Sequence, residues 1–287
     1  MRIIYHDDID GRAAAAIARL AGPAWAGADL LPLDYGSGWR LDPVAPAEPV
    51  LVVDCMVEPA AAMAALASTA ALTWIDHHAS SLRAETQSPV LRRAAGVRRE
   101  ELAACELAWH YFHPHEPAPR AVSLLGRYDR WDVADPSAWH GEIMPLQVAV
   151  ESYPTDPGPD LDFWRRLLAG EAVEALIEAG THIWRYQRQR SRQTAARQAR
   201  EVRLDGLRVI ALNAAGDSQL FETVWDPRRH DAMVLYRQMA DGTWSVSLYT
   251  PKPEVDVSVL AEARGGGGHR GAAGFGVKEI GGLFQPS

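Results

Sequence analysis

Three short apolar runs in this chain end in acidic residues or histidines, and each run has the composition of a buried β-strand. Because the carboxyl ends of parallel strands open into one crevice, side chains placed directly after several strands converge in space. Strands that alternate with Ala-rich helical runs predict an α/β fold with a parallel sheet. The runs and the residues that follow them are Met1–Ile4 with Tyr5–Gly11, Val50–Val53 with Asp54, and Leu72–Ile75 with Asp76–His78.

The predicted crevice offers carboxylates and imidazoles but no thiolate with metal-motif spacing. Oxygen and nitrogen donors favour hard to borderline divalent cations such as Mn²⁺ or Mg²⁺. The two cysteines, Cys55 and Cys105, indicate a reducing compartment without a disulfide framework. Cys55 directly follows Asp54, but we expect it to be a buried apolar residue.

Bulk properties exclude several classes of protein. The 287 residues can form one large and one small domain, and 47% hydrophobic with 23% charged residues is ordinary for a soluble globular protein. No apolar stretch reaches the ~20 residues of a membrane span. Charged residues within the first eight positions argue against a signal peptide, so we expect a cytoplasmic protein. The net charge of −8 argues against broad attachment to duplex nucleic acid.

The pattern along the chain predicts three parts. These are an N-terminal parallel-sheet domain over residues 1–160, a helical connector over 161–202, and a smaller α+β domain over 203–287. The connector crowds arginines into its second half, which we interpret as a solvated helix face; nucleic-acid binding is the alternative. In the smaller domain we expect strands over 207–212, 232–236 and 244–249.

A fourth acidic cluster follows a predicted helix and contains Asp129 and Asp132. Only one of the two needs to enter a metal site, and we favour Asp129. The tryptophans around this cluster and beyond it, Trp131, Trp139 and Trp164, are expected in the core rather than as a base-stacking surface.

A glycine run near the C-terminus precedes His269 and Arg270. Four consecutive glycines let backbone N–H groups approach an anion, and the neighbouring imidazole and guanidinium suit a terminal phosphate. We therefore expect Gly266, Gly267, Gly268, His269 and Arg270 to bind substrate, with Ala272 and Ala273 beginning a helix.

These motifs in this order resemble the DHH phosphoesterase superfamily, in its subfamily with a C-terminal DHHA1 substrate-binding domain. The resemblance covers nearly the whole chain. The residues that carry it are His6-x-Asp8-x-Asp10-Gly11, Asp54, Asp76-His77-His78, Asp129 and Gly266-Gly267-Gly268-His269.

The resemblance implies a centre of two divalent ions, Mn²⁺ or alternatively Mg²⁺. His6 and Asp8 would hold one ion, Asp10, His77 and Asp129 the other, and Asp54 would bridge them. His78 would contact the scissile phosphate, and Asp76 would orient the two histidines. The glycine run with His269 and Arg270 would hold the terminal phosphate or base of the substrate.

The resemblance also implies the reaction. The leading hypothesis is a metal-dependent phosphodiesterase or exonuclease, similar to a nano-RNase, that releases 5′-mononucleotides from short single-stranded oligonucleotides through a metal-activated water. The alternatives are hydrolysis of a nucleotide bisphosphate or a cyclic dinucleotide. A third hypothesis, of another class, is a catalytically inactive nucleotide-binding regulatory module. The family also allows a homodimer.

Overall fold

The computed structural model describes residues 1–33, 41–268 and 270–286. The chain divides into two compact units, Met1–Trp184 and Arg185–Ser287. The first unit contains a parallel sheet flanked by helices and the second a mixed sheet. The predicted fold class, α/β with a smaller α+β part, is confirmed.

The sheet of the first unit has four parallel strands in the order β2-β1-β3-β4. The three strands predicted for this part of the chain are present in it, each within a residue or two of its expected bounds. Their register places His6 and the residues after β3 and β4 at the same edge, since Tyr5 lies beside Val53, which lies beside Ile75. The strands are β1 (Arg2–His6), β2 (Asp29–Leu33), β3 (Pro49–Val53) and β4 (Ala71–Ile75).

Helices cover both faces of this sheet. On one face, Ile3, Leu51 and Ile75 belong to a buried cluster with residues of α1, α5 and α6. On the other face, Ile4, Val52 and Trp74 belong to a buried cluster with residues of α3 and α4. The helices of this unit are α1 (Ile9–Leu20), α2 (Pro23–Ala26), α3 (Ala60–Thr69), α4 (Ala79–Gln87), α5 (Ala104–Phe112), α6 (Arg120–Asp129), α7 (Pro136–Ala138), α8 (Met144–Glu151) and α9 (Leu161–Leu168), with a 3₁₀ turn at Leu91–Arg93 and a π-helical turn at Trp139–Ile143.

Helix α1 shows why the acidic turn has its shape. The Asp8 carboxylate accepts a hydrogen bond from the Gly11 N–H and so caps the helix. The Ala-rich face that follows is fully buried, because small side chains let α1 lie close to its neighbours. At Gly11 a Cβ atom would lie 2.2 Å from the carbonyl oxygen of His6. Only glycine allows this close approach of α1 to the end of β1.

Residues 161–202, expected as a helical connector, are mostly helical but are interrupted and end in a strand. The segment forms α9, a break, α10 (Val173–Gln198) and a strand, β5 (Arg200–Leu204). The break is at Gly170, whose φ of +79° ends α9 in the left-handed region that favours glycine. The arginines of α10 beyond Trp184 are exposed, as expected for a solvated face, except Arg188, which is half-buried and pairs with Glu222.

The second unit contains a seven-stranded sheet in the order β11-β5-β6-β7-β8-β10-β9. Strands β6 and β7 pair in parallel, and the other neighbours are antiparallel. The three strands predicted here are confirmed. The helix expected to begin at Ala272 and Ala273 is wrong, because residues 272–277 form a strand. The elements are β6 (Leu207–Leu212), β7 (Ala232–Gln238), β8 (Trp244–Tyr249), α11 (Val257–Glu262), β9 (Gly267–Gly268), β10 (Ala272–Val277) and β11 (Gln285–Pro286), with a 3₁₀ turn at Ser218–Phe221.

Across the ranges that the structure describes, every helix is too short or too polar to cross a lipid bilayer.

Candidate metal centre

The carboxyl ends of three neighbouring strands and one helix bring the predicted ligands together. His6 ends β1, Asp54 directly follows β3, and His77 lies two residues beyond β4. Asp129 is the last residue of α6. Four stretches spread over about half the chain therefore meet at one edge of the sheet, as the sequence predicts.

Asp54 is at the centre of the cluster. Its Oδ2 lies 3.5 Å from His6 Nδ1, and its Oδ1 lies 3.2 Å from His77 Nε2. His78 Nδ1 lies 3.8 Å from Oδ1. Asp54 is 1% exposed, so all three imidazoles surround a carboxylate that is almost fully removed from water.

The other carboxylates lie on both sides of Asp54, and with the histidines the ligand atoms form three overlapping groups. Asp8 Oδ2 lies 3.0 Å from His6 Nδ1 on one side of Asp54. On the other side, His77 Nε2 lies 3.3 Å from Asp129 Oδ2 and 3.8 Å from Asp10 Oδ2. Within each group the ligand atoms lie within 4.8 Å of one another, the groups being His6 with Asp8 and Asp54, Asp10 with His77 and Asp129, and Asp54 with His77 and His78.

These residues fit divalent cations. Both carboxylate oxygens of Asp54 and Oδ2 of Asp129 are buried, and none accepts a well-aligned hydrogen bond from any residue of the described ranges. Buried oxygens without donors are costly unless a cation compensates them. Asp54 belongs to two of the three groups, so its two oxygens can serve two ions at once. The donor set, carboxylate oxygen with imidazole nitrogen, suits Mn²⁺ or Mg²⁺.

The backbone at Asp54 is unusual. Its φ is +59°, in the left-handed region that non-glycine residues rarely adopt, although Asp and Asn tolerate it better than most. Its N–H donates to the Ile75 carbonyl, which ties the turn to the neighbouring strand. Strained residues of this kind cluster at functional sites, and here the conformation follows the strand at the centre of the cluster.

The histidines are strongly basic in this setting. Burial would lower the pKa of His6, but the carboxylates of Asp54 and Asp8 outweigh burial and raise it to about 11. The pKa of His77 rises to about 10, because Asp54, Asp129 and Asp10 again outweigh burial. The cluster therefore strongly favours positive charge at its centre.

The carboxylates show the same excess of negative charge. Burial and the charge of Asp54 raise the pKa of Asp10 to about 7. Burial and Asp10 raise the pKa of Asp129 well above its usual range. For Asp54, burial would raise the pKa, but the neighbouring imidazoles of His6 and His77 hold it below its usual range. Binding of a cation would displace the protons that these groups hold near neutral pH.

Asp76 lies beneath the cluster and is fully buried. Its Oδ1 accepts hydrogen bonds from the backbone N–H groups of His77 and His78 and contacts His78 Nδ1 at 2.7 Å. Its Oδ2 accepts a 2.5 Å hydrogen bond from Ser81 Oγ. Asp76 thus contacts both histidines, which is compatible with the orienting role that the resemblance implies for it.

Ser81 is a residue that sequence reasoning missed. It lies in the first turn of α4, five residues beyond Asp76, and only the turn of that helix brings its hydroxyl back to the carboxylate. No motif marks it. A strand followed by a helix-starting Ser-Ser pair, Ser80 and Ser81, is the one signal that could have suggested it.

Replacing Ser81 with alanine is expected to weaken Mn²⁺ binding by about 10- to 100-fold, because Asp76 would lose a partner that fixes the two neighbouring histidines. Calorimetric titration of the purified variant with Mn²⁺ measures this. Ser80→Ala is the matched control, since Ser80 is adjacent but exposed. Equal affinities for Ser81→Ala and wild type would show that the Ser81–Asp76 contact does not position the histidines.

Asp10 has a second set of contacts that the sequence does not reveal. Its two carboxylate oxygens accept hydrogen bonds from the backbone N–H groups of Ala104 and Cys105. These are the first N–H groups of α5, whose partial positive charge favours an anion. Cys105 is buried beside them, and its Sγ lies 3.7 Å from the Val122 carbonyl oxygen, so it is a packed residue. Cys55 is buried as well, as expected.

Asp129, rather than Asp132, lies with His77. Asp132 Oδ2 instead accepts a 2.8 Å hydrogen bond from Arg127 Nε. The expectation that the nearby tryptophans are buried holds for Trp139 and Trp164, but Trp131 is 45% exposed. For Trp131 the core prediction is therefore wrong.

The glycine run has structural roles that its sequence does not show. Gly265, at φ +76°, ends α11. A Cβ at Gly266 would lie 2.0 Å from the Gly274 carbonyl, and one at Gly268 would lie 2.6 Å from that of Ala272. The run thus lets β9 form the edge of the sheet against β10. Arg270 is exposed and donates to the Pro253 carbonyl, and His269 lies outside the described residues.

Comparison with known proteins identifies the fold. The sequence matches no known family profile and no curated protein. Among solved structures, the DHH domain of a protein assigned to a family of ribosomal proteins matches with a TM-score of 0.57 and 15% identity over 99% of this chain and 83% of that one. The chain has the DHH-domain fold. The resemblance stated from the sequence motifs is confirmed at the level of the fold.

Two further solved structures are similar to this chain. The pGpG-specific phosphodiesterase PggH from Vibrio cholerae matches with a TM-score of 0.50 and 11% identity over 96% of this chain and 92% of that one. An exopolyphosphatase-related protein from Bacteroides fragilis matches with a TM-score of 0.50 and 12% identity, over 98% and 86%. At these identities the likeness establishes the fold and leaves the substrate to the chemistry of the site.

Proposed function

We propose that this DHH-fold chain is a metal-dependent phosphoric ester hydrolase that cleaves short single-stranded oligonucleotides to 5′-mononucleotides. The observation that carries the proposal is the buried Asp54 carboxylate, flanked by His6 with Asp8 on one side and by His77 with Asp129 on the other. Every position expected to hold a metal carries a side chain that can do so. This favours an enzyme over an inactive binding module.

Two divalent cations, Mn²⁺ first and Mg²⁺ as the alternative, would be held by His6, Asp8, Asp10, Asp54, His77 and Asp129. Cations bound there would supply Lewis-acid chemistry, which lowers the pKa of a water molecule and offsets charge on a phosphate. Hydrolysis adds water across the bond between phosphorus and the 3′ oxygen. One product then carries a 5′-phosphate and the other a 3′-hydroxyl group.

His78 is suited to hold a phosphate oxygen. Burial would lower its pKa, but the Asp76 carboxylate raises it to about 9, so the setting of the imidazole favours its protonated form. Its Nδ1 contacts Asp76. We assign to Nε2 the hydrogen bond to a non-bridging oxygen of the scissile phosphate, where the positive charge also stabilises charge that develops as the bond breaks.

The match to a pGpG-specific phosphodiesterase supports a dinucleotide as the first substrate to test. A small substrate also agrees with the net charge of −8, which disfavours tracking along a long polyanion.

The experiment is product analysis by mass spectrometry with Mn²⁺ present. The substrates are a dinucleotide, a longer single-stranded RNA, single-stranded DNA, a cyclic dinucleotide, a nucleoside 3′,5′-bisphosphate and inorganic pyrophosphate. We expect 5′-mononucleotides, formed fastest from the dinucleotide. Faster release of phosphate from the bisphosphate, or faster opening of the cyclic dinucleotide, would assign the activity to those substrates. Faster cleavage of pyrophosphate than of the dinucleotide would rule out the proposed substrate.

A further inference from the structure

Helix α6 ends in a Schellman motif with a tryptophan at the left-handed position. The Trp131 N–H donates to the Tyr128 carbonyl and the Asp132 N–H donates to the Arg127 carbonyl. Trp131 itself has a φ of +56°. This position usually holds glycine, because a Cβ atom crowds the following carbonyl oxygen in the left-handed conformation.

Within the described residues, two other helices end in the same motif with glycine. In α9 the N–H groups of Gly170 and Glu171 donate to the Leu167 and Arg166 carbonyls, and Gly170 has a φ of +79°. The end of α11 repeats the pattern with Gly265 at +76°. The fold therefore uses glycine for this turn at two places, and the turn alone does not account for an indole at the third.

The Trp131 ring is both supported and exposed. It packs edge-to-face on Trp139, with ring centroids 5.0 Å apart and planes at 63°. Trp139 is buried in the π-helical turn and is stacked on Tyr128. With 45% of Trp131 exposed, one part of the indole is held by Trp139 while another remains open to solvent. A rigid, partly open aromatic surface is suited to stacking against a planar ligand.

Trp131 is close to the candidate metal centre along the chain. It lies two residues after Asp129, whose carboxylate contacts His77. Two residues separate Cα atoms by at most ~7 Å, so the backbone of Trp131 lies within that distance of the Asp129 backbone. A nucleotide base lies several Å from its phosphate, which is the range that this spacing brings Trp131 into.

We infer that Trp131 forms a subsite for a nucleobase of the substrate, with the exposed indole stacking on the base. The inference rests on the proposed function only in taking the ligand to be a nucleotide. Stacking on an aromatic side chain is tolerant of base identity, since every base has a π-face. The subsite therefore selects nucleotides over base-free phosphate esters and discriminates little among the four bases.

Equilibrium binding of two probes tests this subsite. The probes are 5′-AMP and ribose 5-phosphate, which differ by the base, measured by calorimetry with Mn²⁺ present. We expect the wild-type chain to bind 5′-AMP about tenfold more tightly than ribose 5-phosphate. Trp131→Gly should remove this advantage and leave the affinity for ribose 5-phosphate unchanged. Trp131→Phe, which keeps an aromatic face, should retain part of it.

The glycine variant also separates binding from a structural role. Trp131→Gly relieves the left-handed strain but removes the packing on Trp139 and adds freedom to the unfolded chain, so its thermal midpoint is measured to confirm that the variant is folded at the temperature of the binding assay. A lower midpoint together with loss of both probes would show that Trp131 acts through packing and would overturn the inference. An unchanged preference for 5′-AMP in Trp131→Gly would overturn it equally.

Tyr111 provides a matched control. It is 40% exposed and packs edge-to-face on Phe112, with centroids 5.1 Å apart, as Trp131 does on Trp139. It lies at the far end of α5, seven residues and about 10 Å beyond the N–H group that meets Asp10. Tyr111→Ala should bind both probes as wild type does. If wild type prefers 5′-AMP through Trp131 yet hydrolyses no phosphate ester, the proposed function fails while this inference stands.

Discussion

Replacing Asp54 with asparagine is expected to lower kcat for dinucleotide hydrolysis by at least on the order of 10³-fold. The carboxylate is shared by two groups of ligand atoms, and an amide offers one neutral oxygen where two charged ones are needed. Asparagine has nearly the same shape and tolerates the left-handed backbone at this position, so the fold should persist. Steady-state kinetics with Mn²⁺, with circular dichroism as the check on folding, measure the effect.

Asp132→Asn is the matched control for this change. Asp132 belongs to the same acidic segment as Asp129, but its carboxylate pairs with Arg127 at a half-exposed position. Surface ion pairs contribute little, so its kcat should stay within about threefold of wild type. Full activity of a folded Asp54→Asn variant would refute the catalytic role of this carboxylate. Loss of activity in Asp132→Asn would indicate that Asp132, and not Asp129, belongs to the site.

Replacing Gly11 with alanine is expected to destabilise the chain by about 1–3 kcal/mol and to weaken Mn²⁺ binding by about 10- to 100-fold. The added Cβ would lie 2.2 Å from the His6 carbonyl oxygen, which is backbone and cannot rotate away. Relief of this clash must move the start of α1 away from β1. That start carries Asp8 and Asp10, so the same shift separates them from His6 and His77. Thermal unfolding and Mn²⁺ titration measure the two effects.

Gly27→Ala is the control for Gly11→Ala. Nothing lies within 4 Å of a Cβ built at Gly27, which ends α2 in the same unit. Its unfolding midpoint and Mn²⁺ affinity should match wild type. A Gly11→Ala variant with wild-type stability and affinity would show that the contact between α1 and β1 is looser than the structure describes.

The strand ends could be predicted from sequence because one physical rule governs them. Buried parallel strands are continuous apolar runs, and residues after such runs meet at one edge of the sheet. This rule locates His6, Asp54 and His77 without any long-range information. Asp129 needed the resemblance as well, because it reaches the site from the end of a helix and not from a strand.

Other parts of the site depend on tertiary contacts that local patterns do not encode. Asp10 is held by the first N–H groups of α5, more than 90 residues away. The left-handed backbone of Asp54 has no sequence signature. Ser81 becomes a partner of Asp76 only through the first turn of α4.

The errors in secondary structure also have physical causes. The helical connector over 161–202 was predicted from its helical pattern, which does not show that a Gly at position 170 ends α9 and that the strand β5 begins at Arg200. Strand β5 lies near the sheet edge and only Leu204 in it is buried, so its apolar signal is weak. The Ala-Ala pair after the glycine run suggested a helix by propensity, whereas pairing with β8 made it a strand. Trp131 was expected in the core because tryptophan usually is buried.

The proposed activity depends on His6, Asp8, Asp10, Asp54, His77 and Asp129 holding divalent cations. The most direct measurement is anomalous X-ray diffraction from crystals of the whole chain grown with Mn²⁺. We expect two anomalous peaks on either side of the Asp54 carboxylate, one beside His6 and Asp8 and the other beside His77 and Asp129. Crystals at saturating Mn²⁺ with no peak within bonding distance of Asp54 would contradict this metal centre.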